Sequence, residues 1–306
     1  IVMELLAVLK ALSDETRLRI LGLLMNHELN VNEIVDILGM GQSRISRHLK
    51  ILADAGILSC RKDGLWAFYT AAVSGSAEKL IKTIQQEMNG GVYEKDSRSL
   101  EAYMADRSRK GREYFNGIAS RWSSIRREML AGLDLNSEIL GAMKKTAVTA
   151  DLGCGNGELA ALLLQKSTKV IGVDRSTGMI DMARQNLSGL SAEQVEFRLG
   201  ELSHLPLRDE ETDCVVINMV LHYLDEPVRG IEEASRVLKK KGRLIIGDLA
   251  VHNNEAMRSR FGHRWLGFSG DTVEGWMKHC DFKIETVKRF RADNGLEPFI
   301  YVCSKN

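Results

Sequence analysis

Residues 151–157 read Asp-Leu-Gly-Cys-Gly-Asn-Gly, directly after a short apolar run and just before an amphipathic one. Glycines at 153, 155 and 157 make a turn whose bare backbone a ligand can touch. A strand must deliver such a turn and a helix must leave it, which narrows the choice of fold sharply. Seventeen residues past Gly157 a second apolar run, Lys169-Val-Ile-Gly-Val, ends in Asp174. A doubly wound sheet places a carboxylate there to accept from both hydroxyls of a ribose.

Around this motif, strand and helix patterns alternate. The spacing predicts strands over 146–151, 169–174, 195–199, 214–220 and 243–249, and helices over 158–166, 177–187 and 228–238. That is an α/β domain with a parallel, doubly wound, Rossmann-like sheet. The last two strands, 282–290 and 299–304, are joined by Ala292-Asp-Asn-Gly-Leu-Glu, so they read as a terminal antiparallel hairpin. A dinucleotide site would want a glycine at 158, where this chain has Glu158.

The N-terminal third carries a different pattern. Apolar residues fall at helical spacing from Leu5 to Met25, interrupted by Ser13-Asp-Glu-Thr16, where Ser13 or Asp14 caps a new helix. A short amphipathic helix over 31–38, the turn Gly39-Met-Gly41 and a helix over 42–55 follow. The last of these buries Ile45, Leu49 and Leu52 and leaves Gln42, Ser43, Arg44, Ser46, Arg47, His48 and Lys50 outside. That is a helix-turn-helix, with the first turns of its second helix facing a DNA major groove. Two alternating strands flanking Asp63-Gly64 add a wing. Between residues 42 and 62, Arg44, Arg47, Lys50, Arg61 and Lys62 stand against Asp54 alone, a focused patch of the kind phosphate contacts need. The alternative is a solvated basic helix face.

The 306 residues suit two domains, with 1–90 for DNA binding and dimerisation, 91–145 as a helical linker or lid, and 146–306 for the sheet. Residues 89–98 are polar and glycine-bearing and predict a break, and one helix is expected from Leu100 to Leu130. No apolar run reaches the roughly 18 residues of a membrane span. The first residues lack the basic region and cleavage site of a signal peptide. Five scattered cysteines, 60, 154, 214, 280 and 303, predict a reducing, cytoplasmic setting and no disulfide framework or zinc finger.

The stretches Ala11–Leu21 and Gln42–Leu58 resemble the ArsR family of winged-helix repressors over about residues 4–72. The resemblance implies a homodimer on a double-stranded, palindromic operator, joined through its first and last helices, the latter at 77–88. Many relatives sense metalloids through Cys-Val-Cys, but here Asn30 and Asn32 replace the thiols, and amides are poor ligands for soft ions, so no metal site is expected.

Residues 146–306 resemble class I S-adenosylmethionine (SAM) methyltransferases. The resemblance implies binding of SAM or S-adenosylhomocysteine (SAH) by Asp151, Gly153, Gly155, Gly157, Asp174 on the ribose, Arg175, Met179 on the adenine face, Glu201 on the adenine amino group, and Leu202. Asn218 opens a fourth motif, Asn218–Pro227, beside the transferring methyl. The Tyr114, Phe115, Trp122 and Arg126 pattern resembles the helical lid of small-molecule methyltransferases; a helix packing its aromatics on the sheet fits equally. Phe261–Phe268 resembles a stretch in chains that fuse the two families.

His222 fits either a general base at the methyl acceptor or a core histidine. Methyl transfer needs alignment of nucleophile, methyl and sulfur rather than an obligatory triad. The chain has no Asn-Pro-Pro-Tyr and no Pro-Cys pair, which disfavours base exocyclic amines and cytosine C5 as acceptors, and Cys214 and Cys280 lack the neighbours of an arsenite site. Two functions follow. One is a regulator that also methylates a small molecule. The other is a non-catalytic repressor whose sheet domain only senses SAM or SAH.

Overall fold

Helix α1 (Val2–Leu12) stops at Ser13, and Asp14 starts α2 (Glu15–Leu24) by accepting the Arg17 amide at 3.0 Å. Of the two capping residues the sequence allowed, Asp14 is the one used. A two-residue strand, β1 (Leu29–Asn30), leads into α3 (Val31–Leu38). Asn30 caps α3 in a reciprocal box with Glu33, so this asparagine has a structural task. Helix α4 (Gln42–Asp54) buries Ile45, Leu49 and Leu52 completely. At roughly 2 kcal/mol per fully buried aliphatic side chain, these three residues anchor the helix and leave its polar face free to evolve.

Strands β2 (Leu58–Asp63) and β3 (Trp66–Ala71) form the wing. Asp63 pairs with Trp66 as the last rung, so the loop is Gly64-Leu65 rather than the expected Asp63-Gly64. Gly64 at the first loop position has φ 57°, which a two-residue hairpin opening on glycine requires. Helix α5 (Ser76–Glu87) follows, and then α6 (Gly91–Ile118), 28 residues long. The computed structural model describes residues 2–72, 76–88 and 90–306, so Ile1 and Asn89, which fall in segments read above, lie outside the described residues.

The break expected over 89–98 is therefore much shorter, because the chain is helical from Gly91. Polar residues hold a helix here through tertiary pairing: Asp96 accepts two 2.7 Å bonds from the Arg19 guanidinium of α2. Two units divide the chain, Ile1–Arg109 and Lys110–Asn306, and the division falls inside α6.

In the second unit a short 3-10 turn, Ala119–Arg121, breaks the single helix expected to Leu130, and α7 (Trp122–Met129) and α8 (Leu135–Ala142) follow. The sheet is then built from β4 (Thr146–Leu152), α9 (Glu158–Leu163), β5 (Ser167–Asp174), α10 (Thr177–Asn186), β6 (Val195–Leu199), β7 (Thr212–Asn218), α11 (Pro227–Val237) and β8 (Leu238–Leu249). Two helices, α12 (Ala256–Phe261) and α13 (Gly270–His279), precede β9 (Phe282–Arg289) and β10 (Pro298–Lys305). The strand order is β6-β5-β4-β7-β8-β10-β9, parallel except that β10 runs antiparallel to both neighbours. The terminal hairpin is thus present, with its second strand inserted beside β8. Central strands are apolar along their length, as Val170, Val215, Val216, Ile217, Ile245 and Ile246 illustrate, because helices cover both faces. The order reverses between β4 and β7, and the glycine turn lies at that switch point, where such sheets bind ligands.

Candidate functional site

On the first unit, Gln42, Ser43, Arg44, Ser46, Arg47, Lys50, Arg61 and Lys62 are all exposed. No side chain caps α4, which starts from Gly41 and presents its positive end. Two expected contacts are altered. His48 is turned inward, with its side chain 12% exposed and its Nδ1 3.7 Å from Asp14. Burial, with Arg17, Arg44 and Arg47 nearby, holds its pKa below the ordinary value against the pull of Asp14, so it is a poor phosphate cation. Arg61 bonds Glu28 at 3.0 Å and Asp63 at 3.1 Å, which softens the charge focus read from residues 42–62 alone. Arg44 donates to Thr16 Oγ1 at 2.8 Å while remaining at the surface.

In the second unit the glycine turn is organised by Asp174. One carboxyl oxygen accepts the Gly155 amide at 3.0 Å and the other the Ser176 amide at 2.9 Å, drawing the turn towards the end of β5. Each oxygen keeps lone-pair capacity for a hydroxyl. The glycines have separate reasons to lack a side chain. At Gly155 (φ 52°) a Cβ would lie 3.0 Å from the Trp122 indole nitrogen, which covers the turn. At Gly157 a Cβ would meet Leu187 at 2.7 Å and Ala183, so this glycine serves close packing of α9 on α10. Gly153 faces Val220 of the fourth motif.

Asp151, at the end of β4, is 1% exposed and its Oδ2 has no partner. Burial pushes its carboxyl up to about 7, with Arg126 opposing and Asp174 reinforcing. Beside it in the sequence pattern, Asn218 donates to Asn136 Oδ1 at 2.8 Å and leaves its own Oδ1 buried and unpartnered. Arg126 bonds the same Asn136 oxygen at 3.0 Å and pairs with Glu158. Two orphaned acceptors at the strand ends call for a ligand with several N–H donors, which the ammonium of a SAM methionine moiety would supply. The residues present therefore fit the cofactor that the sequence implies.

Met179 and Leu202 are buried, Met179 against Ile118, Ala119, Tyr114 and Trp122. Arg175 lies over the Phe115 ring at 5.8 Å. Glu201 is exposed and bonds Arg112 of α6 at 2.9 Å. Asn116 accepts from Ser176 Oγ and from the Gly178 amide, fastening the end of α6 over the start of α10. Tyr114, Phe115 and Trp122 form an edge-on aromatic row, and Phe115 meets Tyr223 at 4.9 Å.

His222 is completely buried. Its Nδ1 is 2.6 Å from Asp248 Oδ1, its ring stacks on His263 at 4.0 Å, and its Nε2 has no partner. Asp248, His263, Tyr223, Asn136, Asn116 and Arg112 were not singled out in the sequence. Tyr223 falls inside the fourth motif and His263 inside Phe261–Phe268, but neither stretch assigned them a role.

Residues 14–59 match the family described as bacterial regulatory protein, arsR family, and residues 150–246 match the family described as methyltransferase domain. The two matches fall on separate stretches of the chain, one within each unit. Over 117 residues it is 40% identical to an arsenite methyltransferase of Halobacterium salinarum, a stretch amounting to 37% of this chain and 30% of that protein. The chain thus spans under a third of that relative. Over 192 residues it is 26% identical to a demethylmenaquinone methyltransferase of Desulfitobacterium hafniense, covering 58% and 73% of the two chains. A SAM-dependent methyltransferase of Thermotoga maritima shares the fold, with TM-score 0.50, 20% identity, and coverage of 63% of this chain and 98% of that one. The methyltransferase-domain match takes in the glycine turn, Asp174, Glu201 and Asn218, but not α6, α7, Asp248 or His263. Among the described residues, no helix is long and apolar enough to cross a membrane, and no group of three or more His, Cys, Asp or Glu could hold a metal ion.

Proposed function

We propose that this chain is an operator-binding regulator whose C-terminal domain binds SAM and transfers its methyl group to a small molecule. The observation that carries the reading is the unpartnered Asp151 oxygen buried at the glycine turn, whose neighbour in the turn, Gly155, is held by Asp174. SAM supplies an electrophilic methyl on sulfur. Asp174 takes the ribose hydroxyls, Asp151 and Asn218 take the ammonium, Met179 and Leu202 line the adenine face, and Glu201 accepts its amino group. Arg175, Tyr114 and Trp122 close the site and exclude water, which strengthens every polar contact inside. Exposed Gln42, Ser43, Ser46, Arg47, Lys50 and Lys62 read or position DNA. Two copies join through α1, where Leu6 and Leu9 are each 45% exposed. Free cysteines suit a cytoplasmic setting.

Arsenite is disfavoured as acceptor. Cys154, Cys214, Cys280 and Cys303 are buried, and burial raises all four thiols, Cys214 and Cys303 to about 12, whereas arsenite needs accessible thiolates.

A second reading, a sensor without turnover, is favoured by one contact. Arg112 of α6 bonds Glu201, so an arriving adenine must compete with that contact. Gel shifts on the operator with and without SAM or SAH, and release of labelled methyl over acceptor panels, separate the two. Turnover without ligand-dependent DNA affinity supports the enzyme. Ligand-dependent affinity with no turnover supports the sensor.

A further inference from the structure

Four polar atoms without partners cluster around the fourth motif: His222 Nε2, the Tyr223 hydroxyl, His263 Nδ1 and Asp248 Oδ2. His222 and Asp248 are 0% exposed and His263 is buried, while Tyr223 is half-buried with its hydroxyl oxygen shielded from water. Each unmade buried bond costs about 1–3 kcal/mol, and folded proteins tolerate few of them. A concentration of this kind at the end of β7 and β8 is costly unless something arrives to fill it.

The tautomer of His222 follows from its partner. Asp248 Oδ1 already accepts the Leu249 amide at 2.8 Å, so it accepts the Nδ1 proton as well, and in the neutral ring Nε2 is left as the lone pair. His263 stacks on the His222 ring at 4.0 Å and 25°. Its backbone segment is pinned there, because the Arg264 and Trp265 amides both donate to the His222 carbonyl.

The walls are aromatic. From the glycine turn, Trp122 meets Phe115 at 5.7 Å, Phe115 meets Tyr223 at 4.9 Å, and Tyr223 meets His222 at 4.2 Å and His263 at 5.0 Å. A chain of ring contacts thus links the glycine turn to the orphaned polar atoms. Flat π-faces select a planar ring, and the lone pair at the far end selects a hydroxyl on that ring. Tyr114 joins the same row: its ring meets Phe115 at 5.3 Å and lies against Gly262, and its hydroxyl donates to the Arg260 carbonyl at 3.2 Å.

We propose that this cluster is the acceptor site, that the acceptor is a hydroxylated aromatic of the phenol, catechol or hydroquinone class, and that His222 is its general base. The inference rests on the methyltransferase reading above. In the step, His222 Nε2 takes the hydroxyl proton and the phenolic oxygen bonds to the methyl carbon. The carbon–sulfur bond breaks, and its electron pair stays on sulfur to give SAH. Asp248 holds the resulting imidazolium but does not touch the acceptor, so it is a positioning residue. Tyr223 donates to the acceptor ring substituent.

The test uses the full chain loaded with SAH and the chromogenic probe 4-nitrocatechol, at a pH where the free probe is neutral. Wild type should bind it and develop the phenolate band. His222→Gln should bind it without that band, and its SAH affinity should be unchanged. With SAM, wild type should methylate catechol, His222→Gln should lose at least about 100-fold in kcat, and Asp248→Asn should lose kcat with KM preserved. If His222→Gln does not fold, Tyr223→Phe keeps the test alive and should weaken probe binding several-fold. Wild type that binds SAH but neither binds the probe nor methylates catechol or hydroquinone overturns the acceptor assignment alone. An equal phenolate band in His222→Gln overturns the base. Wild type that binds no SAH defeats the earlier reading instead.

Discussion

Asp151 offers a perturbation whose two effects have opposite signs. Moving a buried carboxyl from 3.8 to about 7 costs about 4 kcal/mol of stability once it is ionised, by pH 8. Between roughly pH 4 and 7 the folded protein keeps a proton that the unfolded chain has lost, so stability contributed at this site falls as pH rises across that window. Asp151→Asn removes the charge and keeps the shape, but its amide brings donors without partners, at about 1–3 kcal/mol. The ligand-free variant should therefore be about 1–3 kcal/mol more stable than wild type at pH 8. It should also bind SAH about 10- to 100-fold more weakly, because an ammonium loses a charged acceptor worth about 1.5–3 kcal/mol. In wild type, binding should release a proton near neutral pH and tighten about tenfold from pH 6 to pH 8. Thermal melts of the free proteins and calorimetry in buffers of different ionisation enthalpy measure both arms. A variant that melts lower at pH 8, together with SAH affinity indifferent to pH and to the substitution, would refute the reasoning.

Two further outcomes are expected. Gly157→Ala forces a side chain at φ 80° against Leu187 and Ala183 and should destabilise the second unit by about 2–4 kcal/mol in denaturant titrations; a loss under about 0.5 kcal/mol would contradict the packing role. Arg47→Ala or Lys50→Ala should weaken operator binding and reduce its logarithmic salt slope by about one, whereas His48→Ala, whose ring faces Asp14, should leave the slope unchanged; the reverse pattern would remove α4 from the DNA surface.

The parts of the fold legible beforehand are those written in local pattern. The apolar runs of β4, β5 and β7 have the composition of strands covered on both faces, and Ile45, Leu49 and Leu52 mark the buried side of α4 by spacing alone. What local pattern hides is held by long-range pairing. Residues 91–98 look like a linker until Arg19 meets Asp96 across the fold. The 3-10 turn at Ala119–Arg121 is announced only by Gly117 two residues earlier, a residue that helices also accept. The cofactor-site candidates Asp151, Asp174 and Asn218 lie at the C-terminal ends of strands, positions that local pattern marks. Asp248 sits at the end of another strand without a motif, and His263 lies on a loop, so their convergence on His222 depends on β7 and β8 being neighbours. His48 illustrates the opposite failure: helical spacing placed it on the outer face, yet Asp14 at the start of α2 draws it in.

The most direct test is calorimetric titration of the purified full chain with SAH, alongside Asp174→Ala. Saturable one-to-one binding should appear in wild type and fall by about 2–4 kcal/mol in the variant, as loss of charge-assisted bonds to two ribose hydroxyls requires. No heat from wild type at millimolar SAH, or equal affinity in both proteins, would contradict a nucleoside held by Asp174 beside the glycine turn.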